Sequence, residues 1–167
     1  MSRRRVISDP MRFARDEQVA RGRTALAELP RLADLLAEPD GEIEWSLQGV
    51  YGIDRRPMLR LSMRAEPVLR CQRCLNAMRH VLERVSLLRL VRPGTPIGDE
   101  ELEIDEFDTV EVGPDLDVIA LIEDELVLAL PIAPRHEQCE PPQPAGGSQK
   151  KSPFDVLANL RGSGRLQ

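Results

Sequence analysis

The sequence predicts one α+β domain in which helices cover an antiparallel β-sheet. Two alternations of apolar and polar residues lie between residues 42 and 66, a pattern typical of strands with one buried face. Apolar positions at helical spacing lie before them, in residues 29–37, and after them, in residues 115–130. The 167 residues are 41% hydrophobic but only 3% aromatic. The predicted core is therefore aliphatic, and the chain is long enough to bury it.

Two helical segments are predicted before the sheet. Residues 10–21 carry scattered apolar positions. In residues 29–37, Pro30 lies in the first turn, where proline is tolerated, and a Pro-Asp-Gly turn at residues 39–41 ends the helix. One face of this second helix is formed by four leucines, Leu29, Leu32, Leu35 and Leu36. We expect that face to pack on the sheet.

The predicted sheet covers residues 42–112. Residues 42–51 and 59–66 alternate with period two and predict an antiparallel pair of strands, joined by a turn that ends at Pro57. Residues 77–91 are rich in valine and suggest a third strand, although their apolar positions also fit a helix. Eight acids lie between Asp99 and Glu111, which fits either an acidic edge strand or a partly ordered arm.

A long helix is predicted over residues 115–130, with Asp115 and Asp117 at the end where the helix dipole favours acids. The consecutive acids 123–125 splay around this helix and are interpreted as a solvated face. The domain is expected to span residues 1–140. A Pro-, Gly- and Gln-rich linker follows at 141–151, and residues 152–167 carry a short helix that must dock to be stable.

Composition limits the class of protein. No apolar run approaches the length of a membrane span, and the basic start of the chain lacks the apolar stretch of a secretory signal, so a cytoplasmic protein is expected. The charge is uneven: residues 1–92 carry a net +6 and residues 93–167 a net −11. The basic part can face phosphate, although opposite charges that meet across the folded domain would give the same pattern.

Four residues form a candidate metal site. Cys71-x-x-Cys74 has the spacing of a zinc knuckle, and a second pair with the same spacing, His136 and Cys139, follows the long helix. Three sulfurs and one nitrogen suit one structural Zn²⁺. Two alternatives remain open: thiols packed in a turn without metal, and a redox pair.

Arginines on the predicted sheet form a candidate RNA-binding surface, since guanidinium groups pair well with phosphate. Aromatic side chains that could stack on bases are scarce, so recognition of shape and backbone would have to dominate. The acidic half instead favours a basic protein partner, such as a ribosomal protein. No arrangement of residues indicates catalysis, and we expect no enzyme. The candidate RNA-binding residues are Arg60, Arg64, Arg70, Arg73 and Arg79.

Three strings in order resemble the bacterial YceD family, the large ribosomal RNA subunit accumulation proteins. They are "LRCQRCL" from Leu69, "EDELVLALPIAPRHEQCE" from Glu123 and, after a polar linker, "SPFDVLANL" from Ser152. The resemblance covers residues 69–160 and is weak over the first 40 residues. It implies a non-enzymatic cytoplasmic factor needed for synthesis, processing or stability of 23S ribosomal RNA, with the RNA, a pre-50S particle or a ribosomal protein as partner. The alternative is a zinc-dependent or redox-responsive regulatory module unrelated to ribosomes.

Overall fold

A computed structural model describes residues 5–98 and 106–142. Within these ranges the two α helices are α1 (Pro10–Arg15) and α2 (Val118–Ala129), and two single 3₁₀ turns lie at Leu26–Glu28 and Pro30–Leu32. The strands are β1 (Val6–Ser8), β2 (Val19–Ala25), β3 (Leu36–Glu38), β4 (Glu42–Tyr51), β5 (Pro57–Ala65), β6 (Val68–Arg70), β7 (Ala77–Arg79), β8 (Leu82–Val91), β9 (Asp108–Glu111) and β10 (Asp115–Asp117).

The strands of the described residues form three sheets. The largest has the order β2-β4-β5-β8-β9 and is antiparallel except for β9, which runs parallel to β8. A second sheet has the order β3-β6-β7, and β1 pairs with β10. The predicted α+β class with mainly antiparallel sheets is confirmed at this level. The described chain contains only two α helices, so it has less helix than the prediction of a helix-covered sheet required.

The β4–β5 hairpin gives the large sheet two distinct faces. Its register runs from Ile43 opposite Ala65 to Tyr51 opposite Pro57. On the inner face, alternate side chains are fully buried: Ile43, Leu47, Leu59 and Leu61. On the outer face, Gln48, Arg60 and Arg64 are exposed, whereas Met58 near the turn is buried. Period-two alternation therefore predicted both the strands and the direction of their side chains correctly.

Helix α1 lies on the inner face against β4. A Cβ atom added at Gly49 would lie 2.6 Å from the carbonyl oxygen of Phe13, so the helix backbone sits directly on this glycine. The predicted helix over residues 10–21 is confirmed only as far as Arg15. Glu17 adopts a left-handed φ of 49°, which ends the helix, and the chain continues as β2.

The helix predicted over residues 29–37 is wrong. Leu29 has φ −105° and ψ 90°, because the residue before a proline is disfavoured in the α region. Single 3₁₀ turns and strand β3 follow instead. They still bury Leu29, Leu32 and Leu36, whereas Leu35 is 43% exposed. The spacing of the leucines correctly predicted the burial of three of the four, but it predicted the wrong backbone conformation.

Helix α2 confirms the helix predicted over residues 115–130 only from Val118 to Ala129, because residues 115–117 form strand β10 and pair with β1. The carboxylate of Asp117 caps it by accepting hydrogen bonds from the backbone N–H groups of Ile119 (3.0 Å) and Ala120 (3.3 Å). Its buried side chains include Val118, Ile122 and Leu126. The helix contacts the Pro30–Leu32 turn, β5 and β8, which places it on the inner face of the large sheet.

The interpretation of residues 123–125 as a solvated face is wrong for two of the three acids. Glu123 and Glu125 are only 7% and 6% exposed. Glu123 accepts a hydrogen bond of 2.6 Å from the backbone N–H of Arg31, and Glu125 accepts one from the hydroxyl of Ser86. Both carboxylates are tolerated inside because each has a donor there. Asp124 is exposed and pairs with the guanidinium of Arg31.

The segment over residues 77–91 is extended, as β7 and β8, so the strand interpretation is confirmed and the helical one is wrong. Asp108–Glu111 is an edge strand, as one interpretation of the acidic segment expected.

Three predicted segments lie outside the described residues: residues 99–105, most of the linker at 141–151 and the helix at 152–167. The domain boundary near residue 140 stays a prediction. Within the described ranges, neither α helix is long and apolar enough to cross a membrane.

Candidate metal centre

The first thiol pair lies in the tight turn that joins β6 to β7. The backbone N–H of Cys71 donates to the carbonyl of Asn76, and that of Leu75 donates to the carbonyl of Cys71, both at 2.9 Å. Leu75 adopts a left-handed φ of 64°, which allows the chain to reverse over so few residues. The turn aims both thiols, which are buried, toward one point.

The second pair arrives from the loop that follows α2. The backbone N–H of Gln72 donates to the carbonyl of Pro134 at 2.8 Å, which joins this loop to the thiol turn. The backbone N–H of His136 lies 3.5 Å from the sulfur of Cys71. Residues 62 positions apart in the sequence are thus held beside each other.

The structure brings the four predicted metal ligands together. The ligand atoms of Cys71, Cys74, His136 and Cys139 all lie within 4.8 Å of one another. The sulfurs of Cys71 and Cys139 are 3.7 Å apart, and the sulfur of Cys74 is 3.3 Å from Nδ1 of His136. We call this group the Cys₃His cluster.

These separations match a tetrahedral zinc site. With Zn–S bonds of about 2.3 Å and Zn–N bonds of about 2.0 Å, tetrahedral angles place two sulfurs about 3.8 Å apart and a sulfur about 3.5 Å from a nitrogen. A disulfide requires sulfurs about 2.05 Å apart, far closer than the pair Cys71 and Cys139. The geometry therefore fits a metal ion better than a disulfide.

The thiols do not share one protonation state. Burial raises the pKa of Cys71, but hydrogen bonds from the backbone of Cys74, His136 and Arg73 lower it by more, to about 5 from its ordinary value of 9.0. The backbone of Asn76 lowers the pKa of Cys74, but burial and the neighbouring sulfurs raise it by more. Of these two thiols, Cys71 is the one that is ionised at neutral pH, and a thiolate is the form that binds a metal.

Arg73 belongs to this cluster. Its Nε donates to the sulfur of Cys139 at 3.0 Å, and its Nη2 donates to the carbonyl oxygens of His136 (2.8 Å) and Glu137 (3.3 Å). The hydrogen bond to Cys139 raises the pKa of the arginine. From the sequence, Arg73 was predicted to bind RNA, and its hydrogen bond to the sulfur of Cys139 was not predicted. Its position inside Cys-x-x-Cys was the available signal.

The other candidate RNA-binding arginines lie on two different sheets. Arg60 and Arg64 are exposed on the outer face of the large sheet, where Arg64 Nε lies 3.5 Å from Glu83 Oε1. Arg70 and Arg79 are exposed on the three-stranded sheet, where Arg70 ends β6 at the thiol turn and Arg79 ends β7 opposite Val68, away from the turn. The structure thus brings the candidates together as two pairs, with Arg73 held apart in the cluster.

Comparison with known proteins identifies the same family that the sequence motifs resemble. Residues 59–161, more than half of the chain and including the whole Cys₃His cluster, match the family described as large ribosomal RNA subunit accumulation protein YceD. A Haemophilus influenzae protein with that name is 28% identical over 168 aligned residues, which cover 92% of this chain and 93% of that protein. No solved structure matches. The chain belongs to the YceD family of large ribosomal RNA subunit accumulation proteins.

Proposed function

We propose that this protein is a cytoplasmic, non-catalytic factor for the accumulation of 23S ribosomal RNA, and that it binds that RNA, a pre-50S particle or an early ribosomal protein. The observation that carries the proposal is the family match over residues 59–161. The Haemophilus influenzae relative, which is named for large ribosomal RNA subunit accumulation, aligns with nearly the whole chain.

The Cys₃His cluster is proposed to hold one structural zinc ion. Four protein ligands fill a tetrahedral coordination shell and leave no position for a substrate or a reactive water, which is typical of structural sites. The ion would tie the β6–β7 turn to the loop after α2. That link would also fix the direction of Arg70, which ends β6 at the turn.

Depletion of the protein in its own cells should lower the ratio of 23S to small-subunit ribosomal RNA, and expression of the wild-type chain should restore it. The reason is that a factor of this class supports synthesis, processing or stability of the large-subunit RNA. Sequencing of total RNA during depletion measures the ratio and maps any unprocessed ends. An unchanged ratio after complete depletion would contradict the proposed function.

Direct contact with RNA predicts a steep salt dependence. The double variant Arg60→Glu/Arg64→Glu should bind large-subunit RNA at least about tenfold more weakly at low salt, because each lost phosphate contact reduces the release of counterions. The slope of the logarithm of affinity against the logarithm of salt concentration should flatten as well. Filter binding over a series of salt concentrations gives both quantities.

The matched control is Arg12→Glu/Arg15→Glu on α1, which makes the same change of charge at two exposed arginines outside the candidate set. It should reduce affinity far less. Equal losses in the two double variants would indicate attraction by net charge alone. Binding that does not respond to salt would exclude contact through these arginines.

A further inference from the structure

A groove of about 410 Å³ lies on the outer face of the large sheet, beside the β4–β5 turn and far in sequence from the Cys₃His cluster. Strand β8 forms its floor, and the turn and the residues before β9 form its sides. Its apolar walls are formed by Val50, Ile53, Met58, Leu87 and Phe107. Apart from Arg60, the residues that line the groove have no part in the RNA contacts proposed above.

The apolar surface here is unusually open. Ile53, at the tip of the turn, is fully exposed. Val85, two residues from Leu87 on the same face of β8, is 60% exposed and extends the apolar track beyond the groove. Exposed apolar surface that is concave and continuous is typical of a binding site, whereas scattered single residues are not.

The groove is held in shape by ionic contacts at its base. Asp54 accepts a hydrogen bond of 3.0 Å from Arg89 Nη2 and one of 3.2 Å from the backbone N–H of Arg56. The guanidinium of Arg89 stacks 3.9 Å from the centre of the Phe107 ring. These contacts join the β4–β5 turn, β8 and Phe107, which precedes β9. A ligand would therefore meet a preformed surface.

The side of the groove next to β9 is acidic. Three of the six described residues from Glu106 to Glu111 are acids, and none is lysine or arginine. Glu106 lines the groove, and Asp108 and Glu111 are exposed on β9. This side repels nucleic acid and attracts a basic polypeptide. Arg60 lies on the β5 wall, with β8 between it and the acidic side.

Strand β9 also offers backbone hydrogen-bonding groups. It is the last strand of the large sheet and pairs with β8 on one side. Within the described ranges no strand pairs with its other edge. An extended peptide could pair there while its side chains reach the outer face next to Phe107.

We propose that this groove and the β9 edge bind an extended, lysine- or arginine-rich segment of a partner protein, which inserts one large apolar side chain beside Ile53 and Phe107. The apolar side chain supplies the buried contact, and the acids of the β9 side select the basic residues around it. The inference rests on the proposed function, since it names a protein partner for the same role. Its test uses purified components and can fail separately from the effect of depletion on 23S ribosomal RNA.

The test uses short overlapping peptides that cover the basic proteins of the large ribosomal subunit. They are screened against the full chain, and the strongest binder is titrated by fluorescence anisotropy. Ile53→Ser should weaken that binding about tenfold or more, the loss expected when an isoleucine side chain no longer becomes buried. Glu106→Lys should weaken it at low salt, with a smaller effect as salt screens the charge.

Two matched variants serve as controls. Ile132→Ser removes another fully exposed isoleucine, in the loop near the Cys₃His cluster, and Glu38→Lys reverses an exposed acid on β3. Both should bind the peptide as the wild type does. Three outcomes overturn the inference: no basic peptide binds above matched acidic peptides, Ile53→Ser and Ile132→Ser behave alike, or a single-stranded RNA oligonucleotide depends on Ile53 and displaces the peptide.

Discussion

Cys71→Ser should yield a protein without zinc, whereas the wild-type chain should carry about one zinc ion. The hydroxyl of serine stays protonated and is a poor zinc ligand, while the Cys71 thiol, with its pKa lowered to about 5, is ionised at neutral pH. The free energy of unfolding should fall by about 4 kcal/mol when zinc is present at a thousand times its dissociation constant. Elemental analysis and urea denaturation measure the two effects.

The size of this loss reflects how the two halves of the cluster are joined. The cluster connects a turn between short strands to a loop that follows α2, and the sulfur of Cys71 is also the acceptor for the backbone N–H groups of Arg73 (3.4 Å) and His136 (3.5 Å). Without the ion, the loop is held by the hydrogen bond from Gln72 to Pro134, by the contact of the His136 N–H with Cys71 Sγ and by the three hydrogen bonds that Arg73 donates to it. The leucine core lies elsewhere, so the variant should stay folded but weakened.

His80→Asn is the control for Cys71→Ser, because His80 lies outside the Cys₃His cluster. It should keep the metal. A chelator should destabilise the wild type to the level of Cys71→Ser and should leave that variant unchanged, since the two treatments remove the same interaction. Wild-type protein that is free of zinc and equally stable with or without chelator would refute the zinc site.

The strands whose apolar and polar residues alternate with period two were predicted correctly from the sequence, because that alternation by itself selects an extended conformation. In β4 and β5 alternate residues meet either the core or water, and no other regular structure satisfies that pattern. Strand β2 carries no such pattern, since Arg21, Gly22 and Arg23 lie in its middle. It is extended because it pairs with the edge of β4, a contact between distant segments. Propensity could not reveal it.

The sequence predicted which four residues form the candidate site, but not the contacts that bring the two pairs together. Cys-x-x-Cys and His-x-x-Cys identify ligands because a tight turn places both members near one ion. The approach of one pair to the other depends on α2 and on the hydrogen bond from Gln72 to Pro134, which connect segments far apart in sequence. The arginines were correctly expected to face outward on β5. The sheet to which each of the other candidate arginines belongs depends on strand pairing, which the alternation of apolar and polar residues does not reveal.

Gly49→Val should destabilise the protein by several kcal/mol, although valine is the better strand former. β-propensity favours valine by about 1 kcal/mol at most. Against this, a Cβ at position 49 would lie 2.6–2.7 Å from backbone atoms of Phe13 and Ala14, which cannot rotate away as a flexible side chain would. Helix α1 must therefore move off β4 and expose Phe13, which is 7% exposed in the native fold. Urea denaturation followed by the fluorescence of Trp45 measures the difference.

Gln48→Val separates the two effects, because residue 48 is the neighbouring position on the exposed outer face of β4. There the propensity gain acts without contact with α1, and the free energy of unfolding should change by no more than about 0.5 kcal/mol. If Gly49→Val were neutral as well, α1 would not rest on β4 as described. A large loss confined to position 49 would mean that packing against the helix, and not strand propensity, selects glycine at a position where the apolar alternation alone would place a branched side chain.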